Sequence, residues 1–204
     1  MRIEIAGALS CGKSTLAGML EKAGVKIVRE DLSTNPYLDL RVEDPEKYDF
    51  PCQRQFVLDK IASLAKAELE GTPYVCDFSI AAERAYVSHY SERRADWLDP
   101  LFALLDRSEA EMGLPDLVVY LRCSPLEQLN RIRLRGREFE QGHDLSFVSG
   151  INDLVDTHVG NLRGRDVEVV EYWTDAMTWS DILSDLTAAH LERRGFRASE
   201  TQPA

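Results

Sequence analysis

Gly7-Ala8-Leu9-Ser10-Cys11-Gly12-Lys13-Ser14 follows a short apolar alternation, Arg2 to Ala6, and opens a stretch with Leu16, Met19 and Leu20 at helical spacing. The octapeptide fits G-x-x-x-x-G-K-[ST], the phosphate-binding loop. Its glycines let the backbone curl so that successive N–H groups point at phosphate oxygens. The helix that follows presents the positive end of its dipole to the same place. In this reading Gly7, Ala8, Leu9, Ser10, Cys11, Gly12, Lys13, Ser14 and Thr15 bind ATP. Lys13 reaches the β- and γ-phosphates, and the Ser14 hydroxyl ligates Mg²⁺.

Working outward, Gly24 stops the first helix and Val25 to Arg29 reads as a second strand ending at Glu30-Asp31. Leu32 to Pro51 is turn-rich, with Asn35-Pro36 and Asp44-Pro45 as breakers. Cys52 to Glu70 has apolar residues at helical spacing, and Tyr74 to Asp77 is a third strand. Ala81 to Met112 reads as helical, broken near Asp99-Pro100. The continuous apolar run within Asp116 to Cys123 suits a strand buried on both faces of a parallel sheet. A helix from Pro125 runs into the arginines at 131–137, and Ser146 is the expected N-cap of another helix, to Leu162. Val167 to Tyr172 is a fifth strand, Trp179 to Arg194 a final helix, and Ala198 to Ala204 a flexible tail. Strands alternating with helices predict an α/β fold: a five-stranded parallel sheet flanked by helices in a three-layer sandwich. One domain over residues 1–197 is expected.

The 204 residues carry 24 Lys plus Arg against 35 Asp plus Glu, a net charge of −11. Such a surface repels polyanions, so neither nucleic acid nor an anionic membrane is an expected partner. The first residues are charged and lack the apolar core of a leader, and no apolar run approaches a bilayer span. Cys11, Cys52, Cys76 and Cys123 form no C-x-x-C pair, and the four histidines are scattered singly. They read as reduced thiols of a cytoplasmic protein without a structural metal site.

The phosphate loop defines nucleotide binding but not the fate of the γ-phosphate. Strands ending in Glu30 and Asp77 supply the acidic residues such a site needs, and no N-K-x-D guanine-reading motif follows. Arg131, Arg133, Arg135 and Arg137 concentrate positive charge in an acidic chain. Guanidinium forks suit phosphate oxygens. The small size and this basic segment favour a small-molecule kinase with a lid over residues 135–145.

Taken in order, the motifs resemble the deoxyribonucleoside kinases, particularly the bacterial deoxyadenosine/deoxyguanosine type. They are the phosphate loop; Glu30; Asp44-Pro45-Glu46-Lys47-Tyr48 with Phe50 before a Gln-bearing helix; Asp77-Phe78-Ser79; Pro115 to Leu121; and Arg131-Ile132-Arg133 leading into Arg135 to Glu140. The resemblance implies transfer of the ATP γ-phosphoryl group to the 5′-hydroxyl of a deoxyribonucleoside, purines slightly preferred. It implies Glu30 as the general base, Asp77 as an organiser of Mg²⁺, Gln53 as a nucleobase reader and Glu140 as a contact to the sugar 3′-hydroxyl. Arg133, Arg135 and Arg137 are the implied lid arginines, the first on ATP and the others catalytic. A homodimer contact through Ala81 to Met112 is also implied.

The acceptor side departs from the family pattern. Phe78 stands where most members carry Arg, so a lid arginine or Arg84 is expected to supply that charge. Asp31 replaces a proline and is placed to bind the sugar or to raise the pKa of Glu30 by like-charge repulsion. Val42-Glu43 replaces the expected tyrosine before Asp44-Pro45. Two rivals stay open: a nucleoside monophosphate kinase, using Arg29, Arg41 and Arg54 for a second phosphate, and a nucleotide sensor without turnover.

Overall fold

A computed structural model describes residues 1–91 and 98–196. The tail expected from Ala198 lies outside the described residues. Five strands form one sheet: β1 (Arg2–Ala6), β2 (Ile27–Val28), β3 (Tyr74–Cys76), β4 (Leu117–Arg122) and β5 (Glu168–Trp173). Their order is β2-β3-β1-β4-β5, and every pairing is parallel. The chain therefore leaves β1 where the order reverses, which opens a crevice beyond the carboxyl ends of the strands. The phosphate loop begins there.

Helices are α1 (Lys13–Lys22), α2 (Leu38–Glu43), α3 (Pro45–Leu69), α4 (Ile80–Ser91), α5 (Leu98–Met112), α6 (Pro125–Arg135), α7 (Leu145–Arg163) and α8 (Trp179–Asp185). Helix α1 packs against α8, whereas α4 packs against α3, α5 and α7. The central strands are apolar because both faces are covered: Ile3, Ile5, Leu117, Val118, Val119 and Leu121 are fully buried. A second apolar cluster joins Val57 and Leu64 of α3 to Tyr74, Phe78 and Val87, and to Leu101 and Leu105 of α5. Glu4 is a buried carboxylate in β1. It pairs with Arg2 at 3.0 Å and accepts the Ile80 N–H at 2.9 Å, which anchors the start of α4.

Several boundaries differ from those the sequence predicts. Leu32 to Pro51 is not irregular: a 3₁₀ turn covers Leu32–Thr34, α2 follows, and α3 starts at Pro45. Asp44 caps α3 by accepting the Lys47 N–H at 3.2 Å, and Pro45 takes the first helical position, where its missing N–H costs nothing. Pro51 is carried inside the helix. The α7 cap is Asp144, which accepts the Phe147 N–H at 2.8 Å, and not Ser146. Strand β2 has only two residues, and the last helix passes into π-helical and 3₁₀ turns after Asp185. Asp99-Pro100 lies in the first turn of α5, where proline is tolerated.

Candidate active site

Three strand ends supply the polar floor of the crevice. Gly7 follows β1 at φ +148°, and a Cβ there would come within 2.6 Å of the Leu121 carbonyl oxygen. Gly12, at φ +97°, is the residue before α1, with the Trp179 indole lying over it. Both positions therefore need glycine. The Lys13 ammonium curls over the loop and donates to the carbonyls of Gly7 and Ala8, each at 2.8 Å. Burial lowers its pKa, and the charges of Glu30 and Asp77 work against that shift. Ser14 and Thr15 are exposed in the first turn of α1.

Glu30 follows β2 and Asp77 follows β3. The Asp77 N–H donates to the Val28 carbonyl at 3.1 Å, and the Glu30 N–H donates to Asp77 Oδ1 at 2.7 Å. The parallel pairing of two short strands thus sets the two carboxylates relative to each other. Burial pushes the Asp77 carboxyl up, and the neighbouring Glu30 charge adds to it. Burial would also raise Glu30, but Lys60, Lys13 and Arg137 outweigh it and hold that carboxyl below its ordinary value.

A cavity of about 190 Å³ joins the phosphate loop to Glu30, Asp77, Gln53, Arg135, Arg137 and Glu140. Gly136, in the left-handed conformation, ends α6, so Arg135 and Arg137 turn toward one carboxylate. Glu140 Oε1 accepts from both, at 3.4 and 3.2 Å. Its other oxygen, Oε2, is buried without a hydrogen-bond partner. His143 closes this side, with its ring 3.8 Å from that of Phe147.

Not every expected residue faces the cavity. The Asp31 carboxylate caps the Leu32–Thr34 turn, taking the Ser33 N–H at 2.9 Å and the Ser33 hydroxyl at 2.6 Å. It is exposed, and the Glu30 carboxyl lies below its ordinary value rather than being raised by like-charge repulsion. Arg84 leaves α4 on another side from Glu83 and pairs with Asp106 at 2.7 Å, lining a separate cavity at the far end of the sheet. It does not supply the charge that Phe78 lacks. Arg133 is exposed and outside the cavity lining, and Ala8 and Cys11 are buried beneath the loop. Burial pushes the Cys11 thiol up to about 12.

Two residues, Lys60 and Glu83, escaped the sequence reading of the site. Lys60 of α3 is a buried ammonium between Glu30 and Glu83. Burial opposes its charge, but the two carboxylates more than offset it and raise its pKa. Glu83 in turn accepts from the Gln53 amide at 2.5 Å. Gln53 and Lys60 are seven residues apart, so they share a helix face, the one signal that could have linked them. Arg131 donates to the Thr174 hydroxyl at 3.0 Å and to the Ser10 carbonyl at 3.5 Å, tying α6 to the phosphate loop.

Mg²⁺ is a hard cation that takes oxygen ligands. Ser14 and Asp77 offer hard oxygen ligands at a phosphate site, and no cluster of three or more metal-ligating side chains occurs among the described residues. That fits an ion that keeps waters and binds through one or two side chains plus phosphates. Among the described residues no helix is long and apolar enough to cross a membrane, and the four cysteines are free and buried.

A sequence model of the family described as deoxynucleoside kinase matches residues 3–181. A deoxyguanosine kinase of Bacillus subtilis is 26% identical over 204 aligned residues, covering 93% of this chain and 95% of its own. One from Lactobacillus acidophilus is 31% identical over 160 residues, covering 74% and 68%. The structure of deoxyadenosine kinase from M. mycoides with bound dCTP superposes with a TM-score of 0.78 at 18% identity, covering 93% of this chain and 98% of the other. At that identity the likeness speaks for the fold.

Proposed function

This chain belongs to the deoxynucleoside kinase family, and from that premise we propose that it transfers the γ-phosphoryl group of Mg-ATP to the 5′-hydroxyl of a deoxyribonucleoside, purines slightly preferred. The observation that carries the reading is the placement of Glu30, an ionised carboxylate, beside Lys13 and Asp77 at one end of a single cavity. The phosphate-loop amides and Lys13 hold the donor. Ser14 and Asp77 would hold Mg²⁺, which would supply neutralisation of charge on the phosphate oxygens. Glu30 orients the acceptor hydroxyl and takes its proton. The new oxygen–phosphorus bond forms as the bond from the γ-phosphorus to the bridging oxygen breaks, leaving ADP.

Glu140 Oε2, buried and without a protein donor, suits a sugar hydroxyl. Gln53, held by Glu83, directs its remaining amide groups at a nucleobase edge. The purine preference draws on the two similar deoxyguanosine kinases. Arg135 and Arg137 belong to a lid over residues 135–145 that closes on the phosphates, and the homodimer through Ala81 to Met112 is part of the same reading.

The monophosphate-kinase rival is not favoured. Arg41 reaches the cavity but is neutralised by Asp49 at 2.8 Å, and Arg29 pairs with Glu21 at 2.6 Å. Arg54 is exposed outside the lining, so no uncommitted cation among the three awaits a second phosphate. Initial rates with Mg-ATP and deoxyguanosine, deoxyadenosine, deoxycytidine, thymidine and deoxyguanosine monophosphate test the reading. The purine deoxynucleosides are expected to react fastest, and turnover of the monophosphate alone would overturn it.

A further inference from the structure

Lys60 joins the two ends of the cavity. Its ammonium lies 2.7 Å from Glu83 Oε2 and closer still to Glu30 Oε1, while Glu83 Oε1 accepts from Gln53 Nε2 at 2.5 Å. One polar chain therefore runs Gln53–Glu83–Lys60–Glu30. Its first three members are 4%, 3% and 7% exposed, whereas the Glu30 side chain keeps 29%. Only the end at the candidate proton acceptor opens appreciably to solvent. The Phe56 and Phe78 rings stand 5.1 and 5.9 Å from the ammonium and confine it to this line. Among groups this buried, a change in the pull of one carboxylate on the ammonium is felt by the other. The same ammonium also brings positive charge beside Phe78.

We propose that Lys60 is a positioning residue that couples nucleobase recognition at Gln53 and Glu83 to placement of the Glu30 carboxylate against the acceptor hydroxyl. The inference rests on the function proposed above. A base that engages Gln53 and Glu83 takes up part of the Glu83 carboxylate, and Lys60 then holds Glu30 in one orientation. A mismatched base leaves Glu83 fully on Lys60, and Glu30 is held less well. Base discrimination then falls mainly in kcat and less in KM.

Steady-state kinetics of the whole chain with Mg-ATP and the four deoxynucleosides test this. Lys60→Met is expected to lower kcat for the best nucleoside by about 10²-fold, as removal of a preorganised charge contact does. The ratio of best to poorest kcat collapses toward one, the KM for ATP is unmoved, and Lys60→Arg recovers most of the ratio. Equal loss of kcat for every nucleoside, with the ratio preserved, overturns the coupling. So does a wild-type chain whose selectivity lies wholly in KM. If Lys60→Met fails to fold or turn over, Glu83→Gln, which keeps the Lys60–Glu30 pair, must itself collapse the ratio; a preserved ratio again overturns the coupling. A wild-type chain inactive on all four nucleosides overturns the function itself, a result distinct from an active chain whose ratio survives substitution.

Discussion

Glu30 and His143 show how neighbours set the chemistry of single side chains. Glu30 is held ionised by three cations against burial, so it is ready to accept a proton without itself being a strong base. Glu30→Gln keeps the shape and removes that capacity. Its kcat is expected to fall by about 10²- to 10⁴-fold, with ATP affinity from equilibrium titration unchanged. Full activity in that variant would remove Glu30 as the base. His143 is also shifted down, but toward its neutral form: burial first, then the charges of Arg41 and His89, lowers its pKa to about 4. Its folded pKa lies below the unfolded one, so its contribution to stability is present above pH about 6.5 and is lost as pH falls toward 4. The His143 ring proton resonances are expected to stay those of a neutral imidazole at pH 6. Titration near 6.5 would mean that the stack on Phe147 does not exclude water.

At the scale of elements, the phosphate loop was legible because its requirements are local: two glycines, a lysine and a hydroxyl at fixed spacing between a strand and a helix. Gly12→Ala tests that directly. The new Cβ would meet Trp179 Cη2 at 2.5 Å in a backbone conformation of φ +97°. ATP binding is expected to be lost, with a destabilisation of about 1–3 kcal/mol in urea unfolding from the backbone strain. Unchanged binding and stability would contradict the loop geometry. Helix α3 was read too short because prolines at 45 and 51 look like breakers, although one sits at a helix start and the other is carried by a long, well-packed helix. Arg84 and Asp31 were misplaced for a related reason. Arg84 is placed by its nearness to Phe78 and Asp31 by its adjacency to Glu30, and neither fixes direction, since successive helical residues turn by about 100° and a turn-capping carboxylate faces its own backbone.

Across the whole molecule, the parallel sheet and its five strands were readable because alternation of apolar strands and amphipathic helices is a property of the entire chain. The buried pairing of Lys60 with Glu30 and Glu83 was not, since a lone lysine on a helix carries no mark of its tertiary partners until α3, α4 and the end of β2 meet. That meeting also gives the net charge of −11 a local meaning. The acidic chain gathers Lys13, Lys60, Arg135 and Arg137 around one cavity, so in the proposed function a polyphosphate would be held by placed contacts, without help from the field of the surface. The central claim, phosphoryl transfer to a 5′-hydroxyl, is read most directly by phosphorus NMR of the product formed from Mg-ATP and deoxyguanosine. The account predicts ADP and a phosphomonoester signal split into a triplet by the two 5′ protons. A doublet from a 3′-phosphate, or ATP consumed only when a monophosphate is the acceptor, would contradict it.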